Sequence, residues 1–269
     1  MCRLLGSAAP ALTTAQDVIG EQSCSEWQRM GRLHADGGGS AWVQHDQLEH
    51  VRSAESALQN PALSFALTAE PARARIAHLR LATEGLAKTL DNAHPFLTDE
   101  FALAHNGSIR PIERFLELAG PEERAPHGGN IDTSVMVALI SRRLQEGSSL
   151  FDAVIETVEF VGREFPGSSV NLLVLDREQL IAVHSNEGAP LPTDEFDEAN
   201  LGDDIPLDHY DHYYLMSYRR DEHGTVAFTS SGLGHDGWTP MPQNTAARVD
   251  LATQSLTFTP LRIRSAPAL

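Results

Sequence analysis

The second residue of this chain is a cysteine, set in Met1-Cys2-Arg3. Removal of Met1 would leave the Cys2 thiol and a free α-amine on one residue. A model α-amine titrates near ~7.7–8 and a thiol near ~8.5, so both are partly deprotonated around neutral pH. The amine can therefore serve as base for its own nucleophile. The plainer reading makes Cys2 an ordinary buried strand position. Polar clusters follow at His78-Leu79-Arg80-Leu81-Ala82-Thr83, Asn92-Ala93-His94-Pro95-Phe96, Ala104-His105-Asn106-Gly107-Ser108 and Gly128-Gly129-Asn130-Ile131-Asp132-Thr133. An amino-acid amide substrate asks for one cation, one anion, a nucleophile and an oxyanion pocket. Arg80, Asp132, Cys2 and Asn106-Gly107 supply one of each. Taken singly they have blander roles: a salt-bridging arginine, a helix cap and a turn dipeptide.

The elements that must position these residues follow from periodicity and breakers. Cys2–Gly6 reads as a short strand closed by Gly6, with Pro10 separating it from a weak helix over Thr14–Ile19. Ser23–Arg32 is open between helix and loop. His34–Ser40 is a glycine-rich loop, and Ala41-Trp42-Val43 starts a strand whose hairpin partner is Glu49–Arg52. Ser53–Leu67 carries short helical turns. In Arg75–Ala82 the alternation puts Ile76 and His78 on one face and Ala77, Leu79 and Leu81 on the other. Phe101–His105 is a compact strand running into Asn106-Gly107, which tolerates positive φ. Pro111 starts a helix to Leu118. Two longer helices carry Val135, Leu139, Ile140 and Leu144, then Leu150, Val154, Val158 and Val161, at helical spacing. Val170–Leu175 and Gln179–His184 pair as a hairpin. The acidic, proline-interrupted stretch 186–211 reads as a long surface loop. Tyr213–Tyr218, Thr225–Thr229, Ala246–Leu251 and Ser255–Arg262 read as strands, and the tail from Ser265 as loose. Strands, then adjacent helices, then strands suit layered antiparallel sheets between helices.

The ordered set of motifs, with His34-Ala35-Asp36-Gly37 and the Met-Cys-Arg start, resembles the class II glutamine amidotransferases. The resemblance covers roughly residues 2–180 and fades afterwards. It implies an α+β fold, the four-layer αββα sandwich of N-terminal-nucleophile hydrolases. It also implies a single type-2 amidotransferase domain over 1–269, in which 181–269 add strands that complete the sandwich. Residue by residue, it makes Cys2 the nucleophile and places the oxyanion at the Asn106 side chain and the Gly107 N–H, where each donor is typically worth ~2.7–4 kcal/mol. Arg80 would pair with the substrate α-carboxylate, Asp132 with its α-ammonium, and Thr83 would support that pocket. His78, His105 and the Asp36-Gly37 loop would be supporting residues. The short length and the Met-Cys-Arg-Leu-Leu-Gly start look most like stand-alone members, one group being the γ-glutamyl amide hydrolases of ergothioneine biosynthesis. Two positions depart from the pattern: Ser134 where an acidic residue often stands, and Ser230-Ser231-Gly232-Leu233 in place of Ser-Glu-Pro-Leu.

The expected activity is cysteine-dependent hydrolysis of glutamine or a γ-glutamyl amide through a γ-glutamyl thioester on Cys2. The alternatives are a binding or regulatory protein that keeps the fold, and an ammonia-donating subunit for a separate synthase partner. No cofactor is expected, and a homo-oligomer is compatible with the sequence. A metal-dependent hydrolase is a third reading, resting on Asp208-His209-Tyr210-Asp211-His212 and His34-Ala35-Asp36, neither of which has a regular ligand spacing. Gly37–Gly39 precede no Lys-Ser/Thr and are not a phosphate loop. Tyr210, Tyr213, Tyr214 and Tyr218 either flank a pocket mouth or pack strands.

Composition bounds the rest. The 269 residues are 41% hydrophobic and 21% charged, with a formal charge of −17 and no basic block. That argues against nucleic acid and anionic membranes as partners. Residues 1–15 hold one charge and no long apolar run, so no signal peptide is read and the expected compartment is the cytoplasm. Cys2 and Cys24 make no disulfide framework, and Cys24 reads as an inert thiol.

Overall fold

The structure, a computed structural model, describes residues 2–82, 87–127, 129–199, 201–202, 205 and 208–263. Its strands and helices, in chain order, are β1 (Cys2–Thr13), α1 (Ala15–Ile19), α2 (Glu21–Arg29), β2 (Gly38–Gln44), β3 (Gln47–Ser53), α3 (Pro61–Thr68), β4 (Ala72–Arg80), β5 (Phe96–Leu97) and β6 (Ala102–Ser108). Then come α4 (Ile112–Leu116), α5 (Pro121–Arg124), α6 (Asp132–Gln145), α7 (Leu150–Glu164), β7 (Ser169–Leu175), β8 (Gln179–Ser185), α8 (Thr193–Ala199) and α9 (Asp208–His212). The chain closes with β9 (Met216–Arg220), β10 (Val226–Ser230), β11 (Thr239–Pro240), β12 (Thr245–Asp250) and β13 (Leu256–Pro260). One antiparallel sheet runs β11-β9-β10-β1-β4-β2-β3 and the other β13-β12-β8-β7-β6-β5.

Side-chain parity along the strands builds four layers. Residues two apart share a face. Leu4, Ala8 and Ile76 of the first sheet pack against Ala104, Leu173, Leu175 and Ala182 of the second. On the outer face of the first sheet, Leu5, Ala77 and Leu79 meet Ile19, Trp27, Leu63 and Leu67 of α1–α3. On the outer face of the second, Leu103, Leu172, Val174 and Val183 meet Val135, Leu139, Val154 and Val158 of α6 and α7. The architecture is the αββα sandwich. The strands from Gln179 onward join both sheets, β9–β11 the first and β8, β12 and β13 the second.

Several local expectations change. Gly6 does not close the first strand and Pro10 does not break it, because β1 runs on to Thr13. It sits between β4 and β10, and the ladders on both sides carry it past Gly6. Asn106 and Gly107 form no turn. They lie inside β6, opposite Asn171 and Val170. The polar stretch 186–211 is no plain surface loop: Phe196, Ile205, Tyr213 and Tyr214 form a buried cluster with Leu33, and His209 is buried beside them. The tail from Ser265 lies outside the described residues. Both cysteines are free, and Cys24 is buried in the outer core.

Candidate active site

Parity also decides which polar residues meet. Cys2 stands directly opposite Arg80 across the β1–β4 ladder, and Leu4 stands opposite His78. Cys2, Arg80 and His78 therefore share the face that looks into the space between the sheets. On β6, Asn106 shares the inward face with Ala102 and Ala104. It reaches across to β1, where the Cys2 backbone N–H donates to Asn106 Oδ1 at 3.0 Å. That bond fixes which end of the amide is which. The Asn106 Nδ2 is left buried with no hydrogen-bond partner. Leaving a buried donor unpaired costs about 1–3 kcal/mol, and among the described residues this N–H₂ is such a donor.

Gly107 is required by sterics rather than by φ. A Cβ there would lie 1.9 Å from the Ser169 carbonyl oxygen and 2.6 Å from His105 Nε2. Arg80 is 2% exposed. Its side chain makes one long bond, from a terminal nitrogen to the Asp36 carbonyl at 3.4 Å. Among the described residues no carboxylate lies within ion-pair distance of it. A buried guanidinium with no anion is an unfilled half of a charge pair. The loop beside it is pinned by Asp36, whose carboxylate accepts from the Ala82 N–H at 2.8 Å and pairs with Lys88 Nζ at 2.5 Å. The Asp36 and Arg80 main chains also exchange bonds, Asp36 N–H to the Arg80 carbonyl and Arg80 N–H to the Gly37 carbonyl.

His105 and Asp132 lie on the other side of the second sheet. Asp132 is the first residue of α6, and its carboxylate accepts from the Ile109 N–H at 3.1 Å and the Thr133 N–H at 2.8 Å. It stands 3.8 Å from His105 Nδ1. Its contacts are thus with the strand end behind Asn106-Gly107, and it does not touch Cys2 or Arg80. Ser134 turns inward and donates to the Ile131 carbonyl at 2.7 Å. Thr83 lies outside the described residues.

Three residues built into this region, Arg3, His94 and Thr133, had no role assigned from the sequence. Arg3 is fully buried. It donates from Nε to the Cys2 carbonyl at 2.6 Å and from its terminal nitrogens to the Ser231 carbonyl and hydroxyl at 2.7 and 2.6 Å and to the Tyr213 carbonyl at 3.1 Å. Its guanidinium lies 3.8 Å from the centre of the Tyr213 ring, a cation–π contact. Tyr213 is therefore a packing residue, and burial raises its hydroxyl pKa. The only signal in the sequence was the position of Arg3 next to Cys2. His94 and Thr133 form a second group. His105 Nε2 donates to the Ser169 carbonyl at 3.1 Å. The Thr133 hydroxyl lies 3.1 Å from His105 Nδ1 and 3.0 Å from His94 Nε2, and also donates to the Asp132 carboxylate at 3.4 Å. Burial, then the charges of His78, His105 and Arg80, hold His94 well below the usual imidazole range.

The thiol is strongly perturbed. Burial pushes it up, but the positive chain terminus and the His78 imidazole outweigh this, helped by the Leu81 backbone, and bring Cys2 down to about 5. A thiolate is the nucleophilic form of cysteine.

Residues 1–229 match the family model of class-II glutamine amidotransferases, and the chain belongs to that family. A glutamine–fructose-6-phosphate aminotransferase (isomerizing) of Zymomonas mobilis subsp. mobilis is 31% identical over 194 residues, 70% of this chain and 31% of that protein. One from Bradyrhizobium diazoefficiens is 32% identical over 161 residues, 57% of this chain and 24% of that protein. The chain spans about a third or less of the length of these curated relatives. Among solved structures, a glutamine aminotransferase class-II domain protein from Silicibacter pomeroyi superposes with a TM-score of 0.62 at 16% identity, covering 97% of this chain and 99% of that one. Glutamine phosphoribosylpyrophosphate amidotransferase from B. subtilis gives 0.64 at 13% identity over 98% of this chain and 50% of that one. At these identities the likeness is one of fold, the N-terminal-nucleophile sandwich.

Proposed function

We propose that this protein hydrolyses the side-chain amide of glutamine or of a γ-glutamyl amide, and that residues 1–269 act as one amidotransferase unit. The Cys2 thiolate adds to the amide carbonyl. Asn106 Nδ2 and the Gly107 N–H receive the oxyanion, the freed Cys2 α-amine passes the thiol proton to the departing nitrogen, and collapse expels the amine and leaves a γ-glutamyl thioester. Water then releases glutamate. On this reading Arg80 receives the substrate α-carboxylate, Asp132 the α-ammonium, and Thr83 supports that pocket. The observation that carries this reading is the unpaired, buried Asn106 Nδ2 on an amide locked to the nucleophile's own N–H. Its test is Cys2→Ala, expected to abolish glutaminase and γ-glutamyl amidase activity. Full activity in that variant, or failure of a glutamine-like diazo-ketone to label the N-terminal peptide, would overturn it. Intact mass of the mature protein reports whether Met1 is removed.

The finer substrate follows two lines. The start of the sequence favours a γ-glutamyl amide hydrolase of the ergothioneine-biosynthesis type. The curated relatives favour release of ammonia to a separate synthase, because the part of them that this chain matches is a fraction of a longer aminotransferase. Turnover of glutamine against a thioether-bearing γ-glutamyl amide separates the two. Among the described residues no helix is long and apolar enough to cross a membrane, and the cytoplasm is the compartment we infer.

A further inference from the structure

The start of β1 is paired with a strand on one side only. The β4 ladder reaches Cys2, but the β10 ladder begins at Leu5. Over residues 2–4 side chains take the place of that second ladder. The Leu4 N–H donates to Ser230 Oγ at 2.9 Å, and the Thr229 hydroxyl donates to the Leu4 carbonyl at 3.3 Å. At Cys2 the substitute is Arg3. Alternation puts Arg3 on the outer face of the first sheet with Leu5, opposite Leu79 across the ladder, while Cys2 faces inward. Arg3 Nε holds the Cys2 carbonyl, and its terminal nitrogens hold Ser231 and the Tyr213 carbonyl. Those two anchors are themselves fixed. Ser231 Oγ donates to the Tyr213 carbonyl at 2.9 Å. His34 Nδ1 donates to the Met30 carbonyl at 2.9 Å, so its Nε2 accepts from the Tyr213 hydroxyl at 3.1 Å. Among the described residues every hydrogen-bond acceptor that Arg3 reaches is a neutral oxygen. Burying a cation without an anion is costly, and Leu5 and Leu79 already supply apolar packing on this face. What Arg3 adds is a planar fork that bonds in several directions at once.

We propose that Arg3 is a positioning residue for the amide hydrolysis: from the outer face of the sheet it ties the Cys2 carbonyl to the chain at Tyr213 and Ser231, and so fixes where the thiol stands relative to Asn106. The Cys2 nitrogen is bonded to Asn106 Oδ1 and the Cys2 carbonyl to Arg3 Nε, so the main chain is held on both sides of the nucleophile. Arg3 leaves the strand on the face away from the thiol. It therefore sets the place of the sulfur and not its ionisation. The two segments it grips lie more than 200 positions along the chain, which makes the C-terminal part of the protein a support for the second residue. The inference rests on the proposed role of Cys2, and one arm of its test needs no substrate.

The test compares Arg3→Gln, Arg3→Lys and Ser231→Ala with the wild-type chain. Lysine keeps the charge but has no fork. In both Arg3 variants kcat for glutamine is expected to fall at least about tenfold with KM within about twofold, because a misplacement of about 1 Å can cost about 100-fold in rate while substrate binding is untouched. The substrate-free arm is alkylation of Cys2 by iodoacetamide across pH, followed by mass spectrometry of the N-terminal peptide. Here the Arg3 variants are expected to react faster, by roughly threefold or more, as the end of β1 opens locally, with the pH midpoint unmoved. Ser231→Ala, which leaves Arg3 its carbonyl bonds, should shift both rates in the same directions by less. A wild-type kcat in both Arg3 variants with only a lowered melting temperature overturns the proposal, and so does full rescue by lysine. If the wild-type chain hydrolyses neither glutamine nor a γ-glutamyl amide, the functional reading fails by itself and alkylation decides for Arg3: an unchanged rate in both variants overturns its hold on Cys2. Should the Arg3 variants not fold, Ser231→Ala decides by the same two rates.

Discussion

At the scale of single residues, the candidate site holds, among the described residues, a buried donor without an acceptor at Asn106 and a buried cation without an anion at Arg80. On the proposed reading each is a place for part of the substrate. Arg80→Gln keeps length and polarity but removes the charge. Losing one partner of a buried, hydrogen-bonded charge pair costs about 2–5 kcal/mol, so kcat/KM for glutamine should fall roughly 100-fold at about 3 kcal/mol. Iodoacetamide alkylation of Cys2 should be little changed, because that reagent has no carboxylate. An unaltered kcat/KM would remove Arg80 from substrate binding. Cys2, Arg80 and Asn106-Gly107 were legible because they sit in short motifs in a fixed order. Arg3 and Thr133 were not, because their partners are distant in the chain: Arg3 bonds residues 210 and 228 positions away.

At the scale of elements, period-2 alternation in β4 was readable, and it correctly split Ile76 and His78 from Ala77 and Leu79. The Asn106-Gly107 turn was misread because sequence shows the permissive dipeptide and not the neighbouring strand. The glycine is there for the Ser169 carbonyl, which comes too close for any side chain. Gly107→Ala should therefore strain the β6–β7 ladder. Overpacking costs typically 1–3 kcal/mol or more, which lowers the melting temperature by on the order of 5–10 °C in a chain of this size. An unchanged melting temperature would show that β7 can yield, and that the close approach does not need a glycine.

At the scale of the whole molecule, the acidic stretch before β9 looked like solvent-facing loop by composition, yet it delivers Phe196 and His209 to a buried cluster with His34 and Tyr213. Composition averages over a segment and hides the few residues that turn inward. Among the described residues His209 has no hydrogen-bond partner on either ring nitrogen, and burial, then the Arg3 charge, bring it to about 2. Burial likewise holds His34 and His94 well below the ordinary 6.5. Below about 6.5 the unfolded chain takes up protons that the folded chain refuses, so stability is present above that pH and is lost as the pH falls toward the folded values. Each such histidine contributes up to about 1.4 kcal/mol per pH unit. The melting temperature should drop between pH 7 and pH 5, and His209→Phe should flatten that slope. An identical slope in the variant would mean that His209 is not held neutral. The placement of β1 has one further consequence, for biosynthesis. β1 is an inner strand, and one of its two flanks, β10, ends at Ser230. Cys2 is 6% exposed once both flanks are in place. A ribosome adding ~5–20 residues per second needs on the order of ten to fifty seconds to reach that point. Through that interval β1 has no finished sheet to enter, so the Cys2 thiol stays open to solvent until β10 has been made.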